Sequence, residues 1–185
     1  MVLQTKFLLL LTFFITTSVQ ARFLVEPGYH LYQGSFEAGS ESGELTGEVF
    51  GLNLAYLAEF FMVGLSLEKG QYTYDKNITA NNYAHFSGGG VGTFIGFHFM
   101  DNIKIWTGYL NSTLEPTANK SIRYFGQHAS FGLGYRVYEG LMFNVQGFRN
   151  QFTQMEDDNT GKTSGLDTNI KTQGHSYYFS YILIF

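Results

Sequence analysis

Apolar residues recur at every second position in eight runs along this chain, the period of a β-strand with one greasy face. In the first run, from about Phe23 to Gly34, Val25, Pro27, Tyr29 and Leu31 point one way and Glu26, Gly28 and His30 the other. Phe50, Leu52, Leu54 and Tyr56 oppose Gly51, Asn53 and Ala55 in the second; Phe61, Val63, Leu65 and Leu67 oppose Gly64, Ser66 and Glu68 in the third. The fourth sets Val91, Thr93, Ile95, Phe97 and Phe99 against Gly90, Gly92, Gly96 and His98. In the fifth, Ile103, Ile105, Thr107 and Tyr109 alternate with Lys104, Trp106, Gly108 and Leu110, and Trp106 fits either face. The sixth sets Ala129, Phe131, Leu133, Tyr135 and Val137 against Ser130, Gly132, Gly134 and Arg136; the seventh sets Leu141, Phe143 and Val145 against Asn144 and Gln146. The eighth steps back from Phe185 through Leu183, Tyr181, Phe179 and Tyr177, with Ser176, Tyr178, Ser180, Ile182 and Ile184 between them.

The connections between runs alternate in kind. Three are very short and carry one acid each: Ala58-Glu59-Phe60, Asp101-Asn102 and Tyr138-Glu139-Gly140. The others are charged and polar, around Glu37 to Glu48, Glu68 to Lys76, Glu115 to Arg123 and Glu156 to Lys171, and read as long loops. Short breaks about every 40 residues suit a repeated two-strand unit.

Periodicity alone does not say which face is outside. A soluble lipocalin also has eight alternating strands, with the apolar face inward. Three features favour apolar-out. The runs carry few charges, of which Glu26, Lys104, Arg136 and Arg149 are the main ones; the first three sit on the less apolar face, and a cation facing lipid costs about 2–4 kcal/mol at the midplane. The connections are short at one end and long at the other. The polar face is dense in Gly and Ser, which suits the narrow interior of an eight-stranded barrel.

The N-terminus adds an address. Lys6 is the only charge in residues 1–21, Phe7 to Ile15 is apolar except for Thr12, and Val19 and Ala21 fit a signal-peptidase site. The run is too short for a membrane-spanning helix, which needs about 20 residues. Removing residues 1–21 leaves 10 basic and 15 acidic residues, a net charge of −5, with no basic patch for nucleic acid. Cysteine is absent, which excludes a lipid-anchored start and any disulfide. No later stretch approaches a transmembrane helix, so a membrane-spanning form must be a closed barrel.

Together, Leu24-Val25-Glu26-Pro27-Gly28-Tyr29, Phe131-Gly132-Leu133-Gly134-Tyr135-Arg136 and the terminal Tyr181-Ile182-Leu183-Ile184-Phe185 resemble the small eight-stranded outer-membrane barrels, the OmpA/OmpX/OmpW-like and opacity-protein-like families. The expected fold is all-β: a cleaved signal at 1–21, then one domain over 22–185. That domain is an eight-stranded antiparallel up-and-down transmembrane β-barrel with short periplasmic turns and four longer extracellular loops. The resemblance implies an outer-membrane location. It also implies lipid and lipopolysaccharide as surroundings, and a barrel-assembly signal at Tyr181, Leu183 and Phe185, with Ser180 where such families often place Gly.

Candidate chemistry is sparse. Glu26, His98, Lys104 and Arg136 fall on the inner face near the short turns and should form a polar lumen cluster, with Glu26 bridged to Arg136 or Lys104, either as a gate or as a packed plug. His128-Ala129-Ser130 is similar to a His-x-Ser fragment of lipid A deacylases, but its face points inward and the nearest acid, Glu139, lies across the membrane. His30, His85, His98, His128 and His175 show no zinc spacing, and Asp157, Asp158 and Asp167 show no calcium-loop spacing. Asn77-Ile78-Thr79 and Asn111-Ser112-Thr113 read as chance glycosylation patterns, and Gly88-Gly89-Gly90 opens no helix and so no phosphate site. No cofactor is expected. The leading expectation is a non-enzymatic surface barrel acting as structural support or through its loops, with Tyr72, Tyr74 and Tyr83 and the acidic first and fourth loops as contact surfaces for an unidentified ligand. A narrow OmpW-like channel for small or hydrophobic solutes, threaded past Gly90, Gly92, Gly132 and Gly134, is the alternative, and a lipid A-modifying acyl hydrolase the remote one.

Overall fold

The computed structural model describes residues 22–75, 83–99 and 102–185, with the side chain of Tyr83 excepted. Residues 1–21, expected to be a cleaved signal, the Asn77 pattern and Asp101 lie outside the described residues. Nine strands follow in order: β1 (Arg22–Ala38), β2 (Glu41–Ala58), β3 (Phe61–Asp75), β4 (Tyr83–Phe99), β5 (Ile103–Pro116), β6 (Ile122–Tyr138), β7 (Leu141–Asp157), β8 (Lys162–Tyr181) and the short β9 (Leu183–Ile184). Each of β1 to β8 pairs antiparallel with its chain neighbours, and β1 also pairs with β8 and β9, so the sheet closes on itself. β9 continues β8 in the same register, which makes an eight-stranded barrel.

The break between β8 and β9 has a local cause. Phe23 and Phe185 exchange both backbone hydrogen bonds, at 3.1 and 2.9 Å. Every second residue of β1 from Phe23 on therefore turns its amide toward this partner. Pro27 holds one of those positions and has no amide to give, and the ladder lapses beside it at Ile182. Ile182 keeps its bond on the opposite side, to Gly140 (2.7 Å).

The stagger of the ring follows from the pairing. From Leu24, the successive partners are Ala55, Gly64, Phe94, Gly108, Ser130, Phe148 and Gly174, and the path returns to β1 at Gly34, ten residues on. That stagger over eight strands tilts them by about 40°. Only Leu24, Phe94 and Phe148 on this path are large, so small neighbours leave the lumen room for them.

The apolar face points outward. Leu65, Phe131 and Phe179 are 52%, 62% and 56% exposed, and the inward partners of the alternation are buried. A contiguous belt of this kind excludes the soluble, apolar-in arrangement. Aromatic residues gather at both borders, with Phe23, Tyr56, Phe60, Phe99 and Tyr138 below and Tyr29, Phe50, Tyr109 and Tyr177 above. From Phe23 to Leu31 the belt is about 20 Å tall at that tilt, close to the roughly 25 Å of an outer-membrane apolar band.

The polar connections differ from expectation. The first is a two-residue turn at Gly39-Ser40, with Gly39 at φ 65°, and β1 and β2 run up to it on either side. Strands β1 to β8 have 14 to 20 residues, whereas about 9–11 cross a bilayer. Above the belt the alternation continues but its sense reverses. Phe36, Leu45, Tyr74, Phe86, Leu114, Phe152 and Ile170 pack inside, and Glu37, Glu44, Thr46, Glu48 and Gln71 face out. The upper third is thus built like a soluble barrel on top of a membrane one. At its rim Arg123 bonds Glu115 (2.5 Å) and lies 3.8 and 3.9 Å from Glu156 and Asp158, joining two hairpins. Those carboxylates, Glu115 first, hold the Arg123 guanidinium above its ordinary pKa.

Candidate functional site

The base of the lumen holds the sequence-nominated cluster. Glu26, on β1, and Lys104, on β5, are each 1% exposed and form a direct ion pair. Alternation sends both side chains inward, and the tilt brings strands on opposite sides of the ring to one level. Removing two charges from water is costly unless every remaining lone pair is met, and here the partners are supplied. Ser180 donates to the same Glu26 oxygen at 2.5 Å, and Asn53 to the other at 3.3 Å. Asn144 donates to Ser180 (2.8 Å), and the Lys104 ammonium lies 4.4 Å from the Trp106 ring centroid. His98 faces Lys104 across the β4–β5 pair. Arg136 does not join: its amide donates to Asn102 (2.8 Å) at the rim, and it makes no ion pair among the described residues.

Trp106, left open by its sequence, lies inside at 6% exposure. It can do so because Gly132 is opposite: a Cβ there would stand 2.1 Å from the Trp106 ring. Leu24, Met62, Met142, Tyr178 and Ile182 close around it. The inward glycines therefore do not border a passage. Gly134 gives way to Asn144 and Met142, Gly90 lies against Leu110, and at Gly92 the β5 backbone itself comes close. Gly132→Val should push the indole out of place, cost about 1–3 kcal/mol as an overpacked core does, and shift the emission of the chain's only Trp. Unchanged emission would show that the ring does not rest on Gly132.

A polar middle layer separates this base from the upper apolar layer. His30 stacks on Tyr178 at 3.8 Å between centroids, and Tyr32 donates to Glu68 at 3.1 Å. His128 bonds Asn150, which donates to Thr172. Ser130 shares the inward face of β6 with His128, but the orienting partner of the imidazole is an amide and the pair faces away from lipid. Voids of about 10 and 20 Å³ in this layer each have room for about one water.

Other nominated residues fall elsewhere. Tyr74 is 2% exposed in the upper apolar layer and Tyr72 packs beside it, so neither is a surface contact as expected. Glu68, first read with the second polar loop, is an inward residue of β3. Asp157 accepts from the Asn159 amide within its own turn. Tyr181, Leu183 and Phe185 lie exposed on the outer face of the closing strand. Asn53, Asn144 and Ser180 were visible only as inward polar positions; their convergence on Glu26 needed the stagger of the ring.

No family model matches the sequence, and no curated protein matches it. Solved structures do resemble it. Neisserial surface protein A (NspA) aligns with a TM-score of 0.51 at 10% identity, over 86% of this chain and 96% of that one. Ail, the attachment invasion locus protein of Yersinia pestis, solved with the heparin analogue sucrose octasulfate, aligns with a TM-score of 0.55 at 10% identity, over 88% of this chain and 99% of that one. The shared feature is the fold of small outer-membrane barrels.

Proposed function

We propose that this protein is a non-enzymatic bacterial outer-membrane barrel with a filled lumen, acting as envelope support and through its raised hairpins. The outer apolar belt and the fold shared with outer-membrane proteins support the location, together with the export-type segment at residues 1–21. One observation carries the rest. The base of the lumen is filled by the Glu26–Lys104 pair and Trp106, with each carboxylate oxygen of Glu26 hydrogen-bonded. Such a base supports the plug over the gate and over the solute channel.

Binding at the surface would use the exposed acids Glu37, Glu41, Glu44 and Glu48 on the first hairpin, and Asp158 and Asp167 on the fourth. The heparin analogue in the Ail structure is a polyanion, and these acidic hairpins would repel one. A cationic or neutral ligand suits them better. Lipid and lipopolysaccharide would surround the belt, and Tyr181, Leu183 and Phe185 form the face offered to the barrel-assembly machinery.

The test is single-channel recording in planar bilayers. The wild-type protein and Glu26→Ala should both be silent, because Trp106 and Met142 still fill the base. Steady current through the wild-type protein would refute the plug, and current through Glu26→Ala alone would make the ion pair a gate.

A further inference from the structure

We infer that the middle layer of the lumen is a binding site for one divalent transition-metal cation, held between His128 on β6 and Glu68 on β3. The first observation is the state of the imidazole. Asn150 donates its amide N–H to Thr172 (2.7 Å), so its side-chain oxygen is what meets His128 Nδ1 at 2.6 Å. That oxygen only accepts, so Nδ1 carries a proton, and in the neutral form of the ring the lone pair is on Nε2. His128 is 3% exposed, and Nε2 has no partner. A ring fixed through its other N–H is how metal-ligating histidines are oriented.

The second observation is the carboxylate. Glu68 lies on the wall of the same 20 Å³ cavity as His128. Its hydrogen bond comes from Tyr32, a neutral donor, and no cation pairs with it among the described residues. An inward carboxylate in a polar cavity favours a counter-charge. One imidazole nitrogen and one carboxylate, with the Ser112 hydroxyl on the same wall of a void about one water in size, suit the compact Zn²⁺ or Ni²⁺ better than Ca²⁺, which takes six to eight oxygens.

The cavity lies close under the surface. An open groove of about 360 Å³ runs along the outer wall at Gly88, Gly89 and Gly90, just above the belt, and Glu68, Gly89 and Thr113 border both spaces. The paired strands β3, β4 and β5 separate the two.

The experiment is calorimetric titration of ZnCl₂ into the full chain refolded in detergent, with folding checked by the heat-dependent shift in gel migration. The wild-type protein should take up one equivalent. His128→Ala and Glu68→Gln should each weaken uptake at least tenfold, and the exposed His85→Ala should not. Should a variant fail to fold, ¹⁵N spectra of the wild-type imidazoles decide: His128 should be the neutral Nδ1–H form without metal, and its Nε2 signal should move on adding Zn²⁺. No uptake at millimolar Zn²⁺, uptake indifferent to both variants, or a doubly protonated His128 at neutral pH would overturn the site.

Discussion

Lys104→Met should destabilise the barrel by about 3–5 kcal/mol, the range seen when one member of a buried ion pair is removed. Glu26 would keep Ser180 and Asn53, but both are neutral donors and neither replaces a charge. Methionine follows the lysine stem closely, so the loss is electrostatic rather than a cavity. The double variant Glu26→Gln, Lys104→Met should recover most of the loss, since replacing a buried pair with neutral groups of similar volume is often neutral or stabilising. Urea unfolding in phospholipid vesicles, arranged as a double-mutant cycle, measures the coupling. A single-variant cost below about 1 kcal/mol, or a double cost equal to the sum of the singles, would show that the two side chains do not depend on each other.

Leu65→Arg should cost about 2–4 kcal/mol in the same vesicles, as a cation does on the lipid face near the midplane. Leu65 lies between Leu54 and Thr93 at mid-belt, with its side chain on the outer wall. Gln71→Arg, on the same outer face of β3 but above the belt, should change stability by less than about 0.5 kcal/mol. The contrast matters more than either value, because the two positions share strand, face and exposure and differ only in height. Equal effects at both would mean that no lipid surrounds Leu65.

The lower two thirds of the fold were legible because lipid imposes one rule on every strand: apolar out, small or polar in. The rule placed Glu26, Lys104, His128 and Ser130 inside from spacing alone. It was silent on Trp106, because an interior filled by side chains accepts an indole wherever a neighbour such as Gly132 yields space. Above the belt the rule inverts. Glu37, Glu44 and Glu48 have the composition of a loop, and only the sparse inward Phe36, Leu45 and Tyr74 mark continuing strands. The Glu68–His128 arrangement was hidden for another reason. The two residues are 60 positions apart on non-adjacent strands, and nothing local ties an imidazole tautomer to Asn150.

The cluster around Glu26 draws one residue from each of β1, β2, β5 and β8. Seven of the eight seams join neighbours along the chain and can zip early as hairpins; the eighth, β1 against β8, brings together residues as far apart as Glu26 and Ser180, 154 positions along the chain. Loop-closure entropy makes such a seam late. Until it forms, the carboxylate keeps its water and the ammonium has no fixed mate. Dehydration of that one charge and completion of the cylinder are therefore a single event, so a half-made sheet entering the bilayer carries an ionic fault that only the finished ring repairs.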